Sequence, residues 1–131
     1  MDRPPVQGPH VPLSMQVFQI LLALIDEDLH GYAIIRDVRV RTAGEVRLTA
    51  STLYAAIKRL LENGSIEELA RRTKSDDDPR RRYYRLTTRG REVARAEARR
   101  LERLATMARE KRLLPPAAPS RLWPPSSWIH R

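Results

Sequence analysis

The 131-residue sequence contains no cysteine. Without thiols the chain has no disulfides, no cysteine nucleophile and no thiolate ligands for zinc. The three histidines, His10, His30 and His130, are far apart, and no HExxH sequence, phosphate-binding glycine loop or paired-carboxylate spacing is present. His30 is interpreted as a local hydrogen-bonding residue in a turn. The sequence therefore argues against an enzyme, and we predict neither a cofactor nor a metal site.

Long apolar runs are also missing. The longest, Ile20–Ile25, is too short to span a bilayer and is followed by three acidic residues. The N-terminus lacks the basic segment and apolar stretch of a secretory signal. We therefore expect a cytoplasmic protein with no membrane partner.

Acidic residues are outnumbered by basic ones, 16 to 25, and the formal net charge is +9. Such an excess on a small chain favours a polyanionic partner. Most of the basic residues are arginine, whose planar guanidinium makes paired hydrogen bonds to phosphate and to guanine. Composition alone does not separate DNA from RNA or anionic lipid.

Proline marks both ends of the chain. Four of the ten prolines lie in residues 4–12 and five in residues 115–125. Proline-rich ends of this kind are typical of poorly ordered segments. We predict a flexible arm at 1–12, a DNA-binding domain at 13–87, a dimerisation helix at 88–113 and a flexible tail at 114–131. Trp123 and Trp128 lie in the tail, and their role is left open.

The apolar spacing predicts four helices and one β-hairpin. The helices are expected from Ser14 to about Asp26, from about Tyr32 to Thr42, from just after Thr49 to Asn63-Gly64, and from Thr88 to Leu113; the strands are expected at 65–70 and 82–87. This order predicts a mainly α protein with a small β-hairpin (α+β), organised as a winged helix-turn-helix with a long C-terminal helix.

The third predicted helix has a core face and a face of small and basic residues. Leu53, Ile57 and Leu60 cluster on one side at 100° per residue. A helix whose outer face is small near its N-terminus fits a major groove about 12 Å wide. The residues expected to contact DNA from this helix and its cap are Thr49, Ser51, Thr52, Tyr54, Ala55, Lys58 and Arg59.

Basic residues flank the loop of the predicted hairpin, which is typical of a wing that lies along the DNA backbone or over the minor groove. Asp76–Asp78 at the tip would be repelled by phosphate, and consecutive aspartates rarely converge on a metal ion. We therefore expect the flanks of the wing to contact DNA. These flanking residues are Arg71, Arg72, Lys74, Arg80, Arg81 and Arg82.

The first helix is apolar almost all round, and the last carries a narrow apolar stripe near heptad spacing. A chain this small can hardly cover the first helix by itself, so a second copy is the simplest cover. The residues predicted to form a homodimer interface are Phe18, Leu21, Leu22, Ile25, Leu101, Leu104 and Ala108.

Several segments, in order, resemble the PadR family of transcriptional regulators over about residues 13–110. They are His30-Gly31-Tyr32, Leu48–Tyr54, Arg59-Leu60, Glu62–Ile66 and Arg82–Gly90. The resemblance implies a dimeric winged-helix repressor that binds a palindromic operator in double-stranded DNA. It further implies a C-terminal helix packed on the first helix of the other subunit, and it allows a small-molecule effector whose identity the sequence does not give.

The sequence departs from the family pattern at three places. Thr49, Ala50 and Ser51 stand where the family usually has Ser, Pro and Gly, although Thr49 can still cap the helix. Ser65 replaces a more usual leucine, which predicts a looser first wing strand. The C-terminal part is one helix, as in the short form of the family.

Two other functions remain open at this point. A basic winged helix also suits an RNA-binding or ribosome-associated protein, but the strands offer few exposed aromatic residues for stacking bases. The long final helix also suits a partner-binding module. We favour the sequence-specific DNA regulator, because the groove-sized helix, the hairpin and the terminal helix occur in that order.

Overall fold

The computed structural model describes residues 10–69 and 81–118, which contain four helices and three short strands. The elements are α1 (Met15–Ala23), β1 (Leu29–His30), α2 (Gly31–Arg41), α3 (Ala50–Glu62), β2 (Ile66–Glu68), β3 (Tyr83–Leu86) and α4 (Thr88–Glu110). The predicted α+β class is confirmed. None of these helices is long and apolar enough to cross a membrane. The chain divides after Arg100 into two compact units, the second of which starts at Leu101.

The first three helices begin at side-chain caps. The Ser14 hydroxyl accepts a hydrogen bond from the Val17 N–H at 3.1 Å, and the Thr49 hydroxyl accepts one from the Thr52 N–H at 3.1 Å. The start at Ser14 and the cap at Thr49 are as predicted, and caps of this kind stabilise a helix by about 1 kcal/mol. His30 caps α2, because its Nδ1 accepts from the Ala33 N–H at 3.2 Å. Local hydrogen bonding by His30 is thus confirmed, but its placement in a turn is wrong.

The positions of the helix ends are set by backbone hydrogen bonds and φ angles, and not by where the apolar spacing stops. Helix α1 ends at Ala23, earlier than predicted, because the Leu24 N–H turns back to the Leu21 carbonyl at 3.1 Å. The predicted stop after α2 is confirmed, with Ala43 at φ 53° and Gly44 at φ 81°. Helix α4 ends at Glu110, before the predicted Leu113.

The three strands form one antiparallel sheet in the order β1-β3-β2. Strand β1 pairs Leu29 with Tyr84 and His30 with Tyr83, and strand β2 pairs Ile66 with Leu86. The hairpin strands were predicted, although both are shorter than expected. Strand β1 was missed, because its two residues lie in a segment that was interpreted as a turn.

The core lies within the first unit, between α1, α2, α3 and the sheet. Its fully buried members include Ile20, Leu21, Ile34, Val38 and Leu53. Leu21 was assigned to the dimer interface, but this side chain packs inside its own chain. The chain therefore covers more of α1 than its all-apolar sequence indicates, and the proposed interface on this helix narrows to Phe18, Leu22 and Ile25, which are half-buried.

Ser65, at the start of the hairpin, is buried and held at both of its backbone groups. Its N–H donates to the Leu60 carbonyl at 2.9 Å, and its carbonyl accepts from the Thr87 N–H at 3.0 Å and the Thr87 hydroxyl at 2.9 Å. Gly90 of α4 packs against the same carbonyl, where a Cβ atom would overlap with the Ser65 oxygen. These contacts fix the start of α4 against the hairpin. The sequence had predicted a loose first wing strand at this position.

A buried carboxylate ties the residues before α1 to helix α4. Glu97 is 2% exposed, and its Oε1 lies 2.6 Å from His10 Nε2 and 3.3 Å from the Leu13 nitrogen. Arg100 donates to both carboxylate oxygens, at 3.0 and 2.6 Å. The hydrogen bonds from Arg100 and His10 outweigh the effect of burial and lower the pKa of Glu97 to about 2. The last residues of the N-terminal arm are thus held on α4 by an ionised side chain.

We expect Glu97→Gln to lower the free energy of unfolding at neutral pH by about 1–3 kcal/mol, because Arg100 loses its charged partner. The pKa of Glu97 in the folded protein is about 2 instead of its ordinary 4.5. Its contribution to stability is therefore complete above pH 4.5 and is lost as the pH falls through 2. Urea unfolding across this range measures it.

The matched control is Glu92→Gln, since Glu92 is exposed on the same helix. This substitution is expected to change the stability by less than about 0.5 kcal/mol. Equal losses for the two variants would contradict the role given to Glu97.

Candidate nucleic-acid interface

The outer face of α3 carries every residue that the sequence predicted there for contact with DNA. Leu53, Ala56, Ile57 and Leu60 are buried against the core. All seven predicted contact residues are exposed on the helix or at its cap: Thr49, Ser51, Thr52, Tyr54, Ala55, Lys58 and Arg59. The N-terminal half of this face is small and polar, and its C-terminal half is basic. Such a face fits the width and the negative charge of a major groove.

Tyr54 connects α3 to the first residue of α2. Its side chain is 49% exposed, and its hydroxyl lies over Gly31. A Cβ atom at position 31 would overlap with that hydroxyl, so glycine lets the Tyr54 side chain lie against the start of α2. The position of Tyr54 on the outer face of α3 thus depends on the start of α2.

His30 connects the start of α2 to the base of the hairpin. Its ring makes an edge contact with Tyr83, with 5.2 Å between the centroids, and Arg81 Nη1 lies 3.3 Å from His30 Nε2. The side chains of His30 and Arg81 therefore meet at the junction of α2 and the hairpin.

Two of the six predicted wing residues fall within the described part of the chain. Arg81 and Arg82 are both exposed, immediately before β3. Arg82 donates to Glu68 Oε2 at 2.7 Å, and this hydrogen bond raises the pKa of Arg82 above its ordinary value. The charge of Arg82 is therefore compensated on the protein, and Arg81 is the better candidate for a contact with DNA. Arg71, Arg72, Lys74 and Arg80 lie outside the described residues, as does Asp76–Asp78.

Ion pairing separates the basic residues of the first unit into two groups. Arg41, Arg85 and Arg100 each have a carboxylate within 3.1 Å, on Asp37, Asp28 and Glu97 respectively. Lys58 and Arg59 have no carboxylate partner among residues 10–69 and 81–118. Uncompensated positive charge is thus placed on the outer face of α3, where an anionic partner would meet it.

The second unit carries the part of the predicted dimer interface that belongs to α4. Leu101 is 40% exposed and Leu104 is 47% exposed, and Ala108 is half-buried. Met107, which the sequence analysis did not include, is 56% exposed. Large apolar side chains at this spacing form a stripe on one side of a helix, which is the pattern of a helix that packs against another one.

Sequence reasoning missed the contacts by which His30, Gly31 and Tyr83 meet the side chains of Arg81 and Tyr54 and each other. Their roles depend on the pairing of β1 with β3, and no local pattern in the sequence predicts that pairing. Within the described ranges, no three His, Asp or Glu side chains lie close enough together to hold a metal ion.

Comparison with known proteins agrees with this geometry. The model of the family described as the transcriptional regulator PadR-like family matches residues 20–96. An uncharacterized protein of Lysinibacillus sphaericus is 34% identical over 71 residues, which are 54% of this chain and 63% of that protein. The chain therefore spans somewhat less than two thirds of the length of this relative.

Solved structures show the same fold. A transcriptional regulator from Clostridium thermocellum is 28% identical, with a TM-score of 0.61 over 72% of this chain and 87% of that one. A PadR family transcription regulator from Clostridium difficile is 24% identical, with a TM-score of 0.63 over 74% of this chain and 97% of that one. The chain belongs to the PadR-like family of transcriptional regulators and has their winged-helix DNA-binding fold.

Proposed function

We propose that this protein is a sequence-specific repressor that binds a palindromic operator in double-stranded DNA as a homodimer. The observation that carries the proposal is the continuous surface made by the outer face of α3, the start of α2 and Arg81. We refer to it as the α3–wing surface. Tyr54 and Gly31 join its first two parts, and His30 joins the last two.

The α3–wing surface suits both kinds of contact that a DNA regulator needs. Ser51, Thr52 and Ala55 let the N-terminal half of α3 approach the base edges closely, while Lys58 and Arg59 reach guanine edges or phosphates. Arg81 lies at the base of the wing and suits a backbone phosphate. Bases would therefore be read by α3, and its register on the duplex would be set by the flanking cations.

The homodimer is supported by the exposed stripe of the second unit. Leu101, Leu104 and Met107 present large apolar surface to solvent in the single chain, and a second copy would cover it. A two-fold dimer presents two α3–wing surfaces, so the matching operator is a palindrome with half-sites about one helical turn apart. The role of repressor is what the resemblance to the PadR family implies.

The proposal is tested by titrating the purified protein with three nucleic acids at physiological salt. These are the duplex upstream of its own coding sequence, a scrambled duplex of the same composition and a structured RNA. We expect the upstream duplex to bind more tightly, by at least about 1000-fold over non-specific DNA if it contains the operator. Equal affinity for all three would contradict sequence-specific binding, and tighter binding to RNA would favour a ribosome- or RNA-associated function.

Substitutions on α3 and on the wing are expected to differ in kind. Lys58→Ala and Arg59→Ala should change the ratio of affinities for the upstream and scrambled duplexes, with each base contact worth about 1–3 kcal/mol. Arg81→Ala should weaken binding to both duplexes equally and reduce the salt dependence, because a phosphate contact carries no sequence information. Arg99→Ala is the control, since Arg99 is exposed on α4. An unchanged ratio in both α3 variants would contradict base reading by these residues.

Gly31→Ala is expected to weaken DNA binding with little effect on folding. The new methyl group would displace the exposed ring of Tyr54, which can swing into solvent, and alanine is a good helix former. The test is a double-mutant cycle, in which Gly31→Ala is combined with Tyr54→Ala. We expect the loss of affinity from Gly31→Ala to disappear once Tyr54 is alanine. If the loss persists in full, Gly31 does not act through Tyr54.

Leu101→Glu and Leu104→Glu are each expected to convert the protein to a monomer and to weaken operator binding sharply, because a charge would be buried in the interface. Thr106→Glu is the matched control, because it adds the same charge at an exposed polar position of the same helix. Sedimentation velocity measures the oligomeric state. An intact dimer in both leucine variants would refute this placement of the interface.

A further inference from the structure

Helix α2 exposes a tyrosine beside the α3–wing surface. Tyr32 is 59% exposed, although it lies in the first turn of a helix that packs on the core through Ile34 and Val38. The guanidinium carbon of Arg36, one turn later, lies over the Tyr32 ring at 6.0 Å from its centroid. A cation in this position is attracted by the face of the ring, which limits the directions in which the arginine can point.

The charge of Arg36 is not neutralised by a carboxylate of its own helix. The single acidic residue of α2 is Asp37, and it is bound to Arg41 at 2.7 Å. Arg36 itself has no carboxylate partner among the residues that the structure describes. Of the three arginines of this helix, Arg41 is neutralised by a neighbour, while Arg36 lies over an aromatic ring.

The pair of Tyr32 and Arg36 continues the α3–wing surface. Tyr32 stacks on His30 with 6.5 Å between the ring centroids and 10° between the planes, and His30 contacts Arg81. Gly31, the residue before Tyr32, lies under the hydroxyl of Tyr54. An anion bound at Arg36 would therefore belong to the same ligand as one bound at Arg81 or on α3.

We propose that Arg36, oriented by the ring of Tyr32, binds a backbone phosphate of the DNA on which α3 docks. The inference rests on the proposed function and adds to it a contact from the first helix of the helix-turn-helix. The occupant is a phosphate and not a base, since the guanidinium is held near its own tyrosine, 6.0 Å from the ring centroid, on the helix that precedes α3. Tyr32 is a positioning residue in this arrangement, and Arg36 makes the contact.

The test measures the affinity for a mixed-sequence duplex of about three helical turns over a range of salt concentrations. For Arg36→Ala, we expect the slope of log K against log salt to become less negative by about 0.9 per bound protomer. The same loss of affinity is expected on the upstream and the scrambled duplex. Arg95→Ala, which removes one exposed arginine from α4, is the matched control and should leave the slope unchanged.

The role of the ring is tested separately. Tyr32→Phe keeps the aromatic face and should bind as the unsubstituted protein does, whereas Tyr32→Leu should weaken binding. In the Arg36→Ala background, Tyr32→Leu should weaken binding much less, because the ring then has no arginine to orient. Thermal unfolding by circular dichroism confirms that each variant is folded at the assay temperature.

Two outcomes would overturn the inference. One is a slope for Arg36→Ala equal to that of Arg95→Ala, and the other is an undiminished effect of Tyr32→Leu without Arg36. In either case the unsubstituted protein would still bind the duplexes, so the proposed function would stand. If the unsubstituted protein binds neither the upstream nor the scrambled duplex, the proposed function itself fails.

Discussion

Two residues between α1 and α2 pair with the last strand of the hairpin, and the arrangement of the DNA-binding surface depends on this pairing. Leu29 lies opposite Tyr84, and His30 lies opposite Tyr83. The pairing places the capping histidine of α2 against Arg81, at the base of the wing. Since α2 also supplies the glycine on which Tyr54 rests, the register of two residues sets the relative positions of α3, α2 and the wing.

Local signals in the sequence predicted the parts of the fold that local chemistry decides. The Thr49 cap, the apolar spacing of Leu53, Ile57 and Leu60 and the stop at Asn63-Gly64 gave α3 with its bounds and its outer face. Strand β1 was not predictable in this way, because two residues show no periodicity. The sheet partner of those residues is far away in the sequence, so their pairing is a tertiary effect.

The candidate site, like the fold, could be predicted only where local chemistry decides it. The face of α3 follows from helical geometry, but the availability of each cation depends on contacts that only the folded chain makes. Arg81 and Arg82 are indistinguishable in the sequence, yet Arg82 is paired with Glu68 and Arg81 lies beside His30. Leu21 and Leu22 likewise look equivalent, although the core of the single chain buries Leu21 completely. Charge and apolar character identify candidate residues, and packing in the folded chain determines which of them stay available to a partner.

We infer that α3, the start of α2 and the base of the wing form one DNA-binding surface. Mapping backbone amide chemical shifts while the labelled protein is titrated with its upstream duplex tests this most directly. We expect the largest changes together at residues 49–59, at residues 30–36 and at Arg81. Changes confined to α4, with these three segments unmoved, would contradict it.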